Sequence, residues 1–309
     1  MNTARIAELL TPFLSAPITI PDHSALTNPR PSRDAARASQ LSVPCHSEPA
    51  KAGEEPAVLS PPQLQSISTY IDILLRWNAR INLTAVRDPE QIVTRHFGES
   101  LFAARHLYPT DIVGPTDIVG PTHIGPSHVG PRRVDASHLD PSHLASSLVR
   151  PSGRAALQGR VTGQKETGAF APESVADVGS GAGFPGLPIK LWAPHLALTL
   201  IESNHKKSAF LREIARALTL TDVNIQTARA ETLTATFDLV TLRAVERFDA
   251  ILPTAAALVA PAGRLALLIS ATQEAQARST LPHLDWSTPV PVPQSRSRVL
   301  LVARRVMSH

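Results

Sequence analysis

The stretch that decides the fold is Ala176-Asp177-Val178-Gly179-Ser180-Gly181-Ala182-Gly183-Phe184-Pro185-Gly186. An apolar run, Val175–Val178, leads into the glycines, and a helical pattern follows as far as Trp192. Glycines after a first strand let the backbone turn sharply and approach a ligand with no Cβ in the way. In an open α/β sheet, ligands bind at the carboxyl ends of the strands, where such a loop lies. The stretch therefore predicts a strand, a ligand-binding loop and a helix, in that order.

Strands and helices alternate along the rest of the chain. Further strands are predicted at Leu196–Ile201, Val223–Gln226, Asp238–Leu242, Arg264–Ile269 and Val299–Ala303, with helices at Lys206–Leu218 and Ala250–Val259 and a turn at Pro261-Ala262-Gly263. Such a series favours a mostly parallel, doubly wound sheet. We expect a Rossmann-like α/β domain over residues 172–309, with seven strands and helices on both faces.

Helices are also predicted before this domain. Residues 1–20 contain a short helix, because apolar residues recur there at helical spacing. A small helical cap is predicted over residues 62–108. Its second helix has Asp88 as N-cap and Pro89 in the first helical position, and it extends to about His106.

Proline divides the chain. Of the 28 prolines in 309 residues, eight lie between Pro21 and Pro62 and eight more between Pro109 and Pro172. Proline is excluded from helix interiors and central strands. We therefore expect two disordered insertions, at 21–61 and 109–171, that belong to neither the cap nor the sheet. The second contains the repeat DIVGPT twice, which is more typical of a low-complexity loop than of a β-helix.

Composition excludes several classes of protein. The single cysteine, Cys45, rules out a disulfide framework and a cysteine zinc cluster. The histidines of the repeat lack regular spacing and a carboxylate or thiolate framework, so no metal site is predicted. No run reaches 18 apolar residues, and no signal peptide pattern is present, so we expect a cytoplasmic protein without a membrane span. We also expect a monomer. The net charge of +4 permits a nucleic-acid partner without demonstrating one.

Two acids flank the glycine loop. Asp177 precedes the glycines, and Glu202 ends the second strand. The segment from Gly181 to Gly186 matches G-x-G-x-x-G, which leaves an NAD-type oxidoreductase as an alternative. However, Pro185 removes an N–H from the turn that would hold a pyrophosphate. The paired acids instead resemble the S-adenosylmethionine site of Rossmann-like methyltransferases, because that cofactor carries a sulfonium and an ammonium group but no phosphate. A non-catalytic RNA-binding module is a third alternative.

The sequence resembles the RsmG family, also called glucose-inhibited division protein B. The motifs that carry the resemblance are Trp77-Asn78, Asn82-Leu83-Thr84, Arg87-Asp88-Pro89, Arg95-His96, Ser100, Asp177–Pro188, Glu202-Ser203, Lys206-Lys207, Phe210-Leu211, Arg229-Ala230-Glu231 and Arg243-Ala244. The resemblance implies a class I methyltransferase that transfers a methyl group from S-adenosyl-L-methionine to N7 of a guanine in bacterial 16S ribosomal RNA. The partner is then 16S rRNA or the small ribosomal subunit.

The resemblance also implies roles for single residues. In the glycine loop, it implies that Gly179 and Phe184 line the cofactor and that Gly181 and Gly183 let the backbone approach it closely. Asp177 is then near the methionine end of the cofactor and Glu202 near its ribose. Ala230 and Glu231 contact the adenine, and Arg243 contacts the cofactor and the RNA. We expect Arg95 and His96 to contact RNA.

Guanine N7 has a free lone pair on the major-groove edge of the base, so it needs no deprotonation before it attacks. We therefore expect no general base and no nucleophile. Arg243, Arg95 and His96 are candidates only for RNA or transition-state contacts. The last arginines, Arg296, Arg298, Arg304 and Arg305, are expected to flank an edge strand rather than to bind RNA.

Overall fold

A computed structural model of the chain describes residues 1–18, 58–109, 172–243 and 248–305. Almost all of the two predicted insertions, including Cys45 and the DIVGPT repeat, lies outside these ranges, as does Ala244. The division of the chain into domains and insertions therefore stays a prediction.

The described helices are α1 (Thr3–Leu14), α2 (Pro61–Asn78), α3 (Pro89–Ile92), a π-helical turn (Val93–Gly98), α4 (Glu99–Leu107), α5 (Gly186–Trp192), α6 (His205–Ala217), α7 (Phe248–Ala257) and α8 (Glu274–Thr280), with 3-10 turns at Ala230–Thr232 and Ala271–Gln273. The strands are β1 (Ser174–Val178), β2 (Ala197–Ile201), β3 (Val223–Gln226), β4 (Phe237–Arg243), β5 (Val259–Ser270), β6 (Asp285–Trp286), β7 (Val290–Pro291) and β8 (Arg298–Arg304). No helix of the described ranges is long and apolar enough to cross a membrane.

The strands form one sheet in the order β3-β2-β1-β4-β5-β8-β6, with β7 also paired to β8. The first five strands are parallel, and β8 runs antiparallel to β5. The predicted Rossmann-like α/β fold is confirmed. The sheet has eight strands rather than seven because β6 and β7 have two residues each, which is too short to give a hydrophobic pattern.

The strand order reverses between β1 and β4, and a crevice opens at such a point beyond the carboxyl ends of the strands. Each face of the sheet carries its own hydrophobic core. One core joins alternate strand residues to α7 and α8. The other joins the opposite strand face to α5, α6 and the N-terminal helices. The N-terminal helices thus share a continuous core with the sheet.

The helix predicted to begin at Asp88 contains a π-helical turn, Val93–Gly98. Asp88 caps it as expected, since its Oδ1 accepts from the Gln91 amide at 2.8 Å. The turn contains Arg95 and His96, and π-helical turns are frequent at functional sites. Its last residue, Gly98, faces α1, and a Cβ there would lie 2.5 Å from the Phe13 ring.

Two local expectations are wrong. Pro261–Gly263 is not a turn between elements but an irregular segment inside β5, where the register to β4 shifts and Ala262 has a φ of 62°. β8 is not an edge strand, because β5 pairs on one side and the short strands β6 and β7 on the other. The arginines at its ends therefore flank an interior strand.

Candidate active site

A cavity of about 700 Å³ opens where β1, β2 and β4 end. Its wall includes Gly179, Ser180, Gly181, Ala182 and Phe184 of the glycine loop, Glu202 and Ser203 after β2, Lys207, Glu231, Arg243, Ala250 and Ile251, and on the helical side Leu83, Thr84, Ala85 and His96. The volume lies within the usual range of small-molecule sites. The cavity is therefore the candidate active site.

The glycines of the loop serve different purposes. Gly179, Gly181 and Gly183 have φ values of 69°, 53° and 84°, which side chains disfavour. A Cβ at Gly181 would meet only the Gly179 carbonyl, at 3.7 Å, so this face is open. A Cβ at Gly183 would overlap the hydroxyl group of Tyr70. Gly183 thus makes room for a protein side chain and does not line the cavity, contrary to the expected approach to a ligand.

Glu202 holds the loop in place. Its Oε2 accepts from the Gly181 amide at 2.9 Å, and its Oε1 accepts from the Asn204 amide at 2.8 Å. A carboxylate has about four acceptor positions, so two remain for a ligand. Glu202 can therefore fix the glycine loop and accept hydrogen bonds from ribose hydroxyls together.

Four amides of the loop and the first amide of α5 are already engaged within the protein. Gly179 and Ser180 donate to the Ile201 carbonyl at 2.9 and 3.1 Å, and Gly183 donates to the Ser180 carbonyl at 2.6 Å. At the start of α5, Gly186 donates to Asp177 Oδ2 at 3.2 Å. A dinucleotide pyrophosphate is normally bound by such amides at a helix N-terminus. Here these donors are not available to a phosphate.

Asp177 is buried behind the loop and does not line the cavity, with 1% of its surface exposed. Its carboxylate accepts from the Gly186 amide and, at 2.9 Å, from the Thr241 hydroxyl. Burial raises its pKa to about 7, although these hydrogen bonds oppose the rise. Asp177 is not part of the cavity wall, and its position near the methionine end of the cofactor stays a prediction. Asp177 instead connects β1, β4 and α5 beneath the site.

Arg243 ends β4 and forms a buried ion pair. Its Nη2 lies 2.8 Å from Glu99 Oε2 and also donates to the Arg95 carbonyl at 2.6 Å. Burial lowers the pKa of Arg243, and the Glu99 carboxylate opposes this. The buried Nε of Arg243 has no acceptor among the described residues. Since the side chain lines the cavity, this donor remains for a bound molecule.

His96 lies between Arg243 and the loop before α3. Its Nδ1 is 3.2 Å from Arg243 Nη2, and its Nε2 is 2.8 Å from Thr84 Oγ1. A guanidinium can only donate, so Nδ1 accepts and Nε2 carries the proton toward Thr84. Burial, and then the charge of Arg243, lower the pKa of His96 to about 3. The ring, stacked on Phe184 at 4.9 Å, is therefore neutral, and it cannot contribute a positive charge to RNA binding.

Sequence reasoning assigned no site role to the segment Leu83–Ala85, which forms part of the wall. Asn78, at the end of α2, anchors it: Oδ1 accepts from the Leu83 and Thr84 amides at 2.7 and 3.0 Å, and Nδ2 donates to the Thr84 carbonyl at 2.9 Å. The available signal was the pair of motifs Trp77-Asn78 and Asn82-Leu83-Thr84. The first motif ends a predicted helix, and the second lies in the connection to the next helix, where such anchoring is needed.

The cavity brings together seven of the predicted site residues: His96, Gly179, Gly181, Phe184, Glu202, Glu231 and Arg243. Four others do not line it, namely Arg95, Asp177, Gly183 and Ala230. Ala230 is buried at the start of a 3-10 turn, directly before the cavity residue Glu231. Arg95 lies on the opposite side of the π-helical turn. The wall is completed by residues that were not predicted to be part of the site: Ser180, Ala182, Ser203, Lys207, Ala250 and Ile251.

A doubly wound sheet, a glycine loop with four amides engaged within the protein and an acid at the end of β2 together define a Rossmann-like methyltransferase of class I. Comparison with known proteins specifies the family. The family model described as rRNA small subunit methyltransferase G matches residues 63–118 and 163–295. The chain belongs to this family, so the resemblance inferred from the sequence and the prediction of an rRNA methyltransferase are confirmed.

Relatives with the same name as the family match this chain over most of their own length. The ribosomal RNA small subunit methyltransferase G of Roseiflexus sp. (strain RS-1) is 31% identical over 79% of this chain and 84% of its own. That of Halorhodospira halophila is 30% identical over 81% of this chain and 92% of its own. Among solved structures, a ribosomal protein L11 methylase from Lactobacillus delbrueckii gives a TM-score of 0.38 at 18% identity, covering 44% of this chain and 72% of that one.

Proposed function

We propose that this chain transfers a methyl group from S-adenosyl-L-methionine to N7 of a guanine in the 16S rRNA of the small ribosomal subunit, by direct in-line transfer without a covalent intermediate. The observation that carries the proposal is the combination of a glycine loop with four amides engaged within the protein and acidic side chains at the cavity wall. This combination suits a nucleoside ligand that is positively charged and carries no phosphate.

The donor set fits S-adenosylmethionine. Glu202 keeps free acceptor positions beside the open face of Gly181, and Glu231 brings a second carboxylate to the wall. The orphaned Nε donor of Arg243 offers a hydrogen bond at the end of β4. When bound, the cofactor supplies an electrophilic methyl group on a sulfonium. The resemblance implies that Glu202 lies near the ribose, and we propose that role here.

Orientation accounts for the catalysis that we propose. The guanine N7 lone pair attacks the methyl carbon as the bond from that carbon to sulfur breaks, and no proton has to leave N7 first. The protein must therefore hold the base in line and limit its motion. The described residues that line the cavity include no cysteine that could act as a nucleophile. His96 is held neutral with Nε2 protonated, so it positions Thr84 and Phe184 rather than acting as an acid.

The partner that we propose is 16S rRNA, free or within the small subunit, and we propose that the chain acts on it as a monomer in the cytoplasm. The family description supports the substrate. The described residues contain no group of three His, Cys, Asp or Glu side chains that could hold a metal ion. Our proposal therefore includes no metal.

Transfer of a labelled methyl group to small subunits that lack the modification tests the proposal. We expect one methyl group per 16S rRNA, and no incorporation would contradict it. Calorimetry with NADH and S-adenosylmethionine tests the oxidoreductase alternative, because only one of them should bind. A non-catalytic RNA-binding module would bind neither.

A further inference from the structure

A second cavity, of about 380 Å³, lies on the other side of the π-helical turn from the active site. Three arginines line it: Arg95 of the turn, Arg296 of the connection between β7 and β8, and Arg298 at the start of β8. Thr94, Ser295 and Ser297 add small polar groups to its wall. The cavity is therefore basic and hydroxyl-rich.

The positive charge of this cavity is not balanced locally. Within the described ranges, Arg95 and Arg296 form no ion pair. The carboxylate in the lining, Glu99, is already neutralised by Arg243. Arg95 and Arg296 are both exposed. Three arginines thus line one space with no free carboxylate among its described lining residues, which is the electrostatic signature of an anion site.

The connection between β7 and β8 is a structured turn. Ser295 Oγ accepts from the Arg298 amide at 3.0 Å, and the Ser295 amide donates to the Val292 carbonyl at 3.2 Å. Arg298 also donates from Nη1 to the Leu268 carbonyl at 3.3 Å. These bonds hold the backbone on both sides of Arg296. The Arg296 side chain therefore projects from a fixed turn, and fewer degrees of freedom are lost when it binds a ligand.

The two cavities share one wall. In the π-helical turn, His96 lines the active site and Arg95 lines the second cavity. The Arg243–Glu99 ion pair is divided in the same way, with Arg243 on the first side and Glu99 on the second. A ligand in the second cavity is thus separated from the active site by the π-helical turn.

We propose that the second cavity binds a backbone phosphate of the RNA strand that flanks the target guanine, with Arg296 and Arg95 as its ligands. The inference rests on the proposed function, since it assumes that the target guanine occupies the active-site cavity. Arginine forms bidentate, charge-assisted hydrogen bonds to phosphate oxygens, and such contacts fix register without reading sequence. For Arg296, this proposal replaces the expectation that the residue does not bind RNA.

Equilibrium binding of unmodified small subunits or 16S rRNA to Arg296→Ala, Arg296→Glu and Arg95→Ala tests the proposal. Each lost phosphate contact should reduce the slope of log K against log salt by about 0.7–0.9. The difference in affinity between wild type and Arg296→Ala should therefore shrink about threefold between 50 and 200 mM salt. Arg296→Glu should weaken binding more than Arg296→Ala. Affinity for S-adenosylmethionine should not change.

Arg216→Ala is the matched control, because Arg216 is an exposed arginine of α6 that lines neither cavity. If Arg296→Glu binds RNA with the affinity and salt slope of wild type or of Arg216→Ala, the phosphate site is wrong. That result leaves the proposed function intact if wild type still methylates. If wild type binds RNA and no methyl group is transferred, the proposed function fails, and the salt slopes still decide the phosphate site. If wild type does not bind RNA, both fail.

Discussion

Arg243 at the end of β4 and Glu99 at the start of α4 form an ion pair of 2.8 Å in which each side chain is 8% exposed. The pair joins the sheet to the helical segment across the wall of the active site. A buried ion pair is costly to break, because the remaining partner becomes an uncompensated buried charge. Arg243 therefore has a structural role in addition to any contact with the cofactor or RNA.

The two roles can be separated by a double-mutant cycle. Arg243→Met and Glu99→Leu should each lower the free energy of unfolding by about 3–5 kcal/mol, as measured by urea denaturation. Arg243→Met combined with Glu99→Leu should recover most of that loss, since neither charge remains. Methyl transfer should stay lost in the double variant, because the Nε donor at the cavity is gone.

The control for this cycle is Arg5→Met, which removes an exposed partner of Glu90 and should cost far less. Normal turnover in the stable double variant would show that Arg243 acts only by holding the two elements together.

Glu202→Ala should weaken S-adenosylmethionine binding, because it removes the acceptor of the Gly181 amide as well as the acceptor for the ribose. Hydrogen bonds to a charged group contribute about 1.5–3 kcal/mol, so Kd should rise about 10- to 100-fold in calorimetry. RNA affinity should stay unchanged, and Glu274→Ala on α8 is the control. A larger loss of RNA affinity than of cofactor affinity would refute the assignment.

His96 makes stability depend on pH. Its pKa is about 3 in the folded protein against an ordinary value of 6.5, so the unfolded chain takes up the proton first as pH falls. The contribution of the neutral, buried His96 to stability is fully present above pH 6.5 and is lost as the pH falls toward 3. Asp177 has the opposite effect, because its pKa is raised to about 7 in the folded protein. As the pH falls from 7 to 4, the folded protein takes up this proton first and gains stability.

Urea denaturation of wild type and His96→Gln at pH 7.5 and 4.5 separates these effects. We expect His96→Gln to lose less stability than wild type when the pH is lowered, with the exposed His205→Gln matching wild type. An equal loss in wild type and His96→Gln would mean that His96 does not titrate as its burial requires.

Residues 119–162 are absent from the match to the family model, which ends at 118 and resumes at 163. We predict that deletion of residues 111–168 leaves methyl transfer and thermal stability near wild type. Loss of activity in a deletion variant that retains its melting temperature would instead assign the segment a role in the reaction.

The sequence predicted those features whose local residue pattern matches the position that the residues take in the folded protein. Val223–Gln226 is a strand at both predicted boundaries, and α2 ends at Asn78 close to where its apolar periodicity stops. The acid after β2, Glu202, lies in the cavity because the carboxyl ends of parallel strands meet at one sheet edge. These features depend on short-range periodicity and on the topology of the fold.

The rest depends on contacts between residues distant in sequence. Nothing local indicates that Gly183 accommodates Tyr70, since the two are 113 positions apart, or that Asp177 is directed inward to Thr241. The π-helical turn likewise has no period of its own in the sequence. It nevertheless directs His96 and Arg95 to different cavities.

The central claim is that the protein methylates N7 of a guanine that is bound in the active-site cavity. Its most direct test is to incubate wild type with labelled S-adenosylmethionine and unmodified small subunits, digest the 16S rRNA and identify the labelled nucleoside by mass spectrometry. We predict that the label is found in 7-methylguanosine, at one position. Label on any other base or atom, or no label under conditions where the enzyme binds both substrates, would contradict the account.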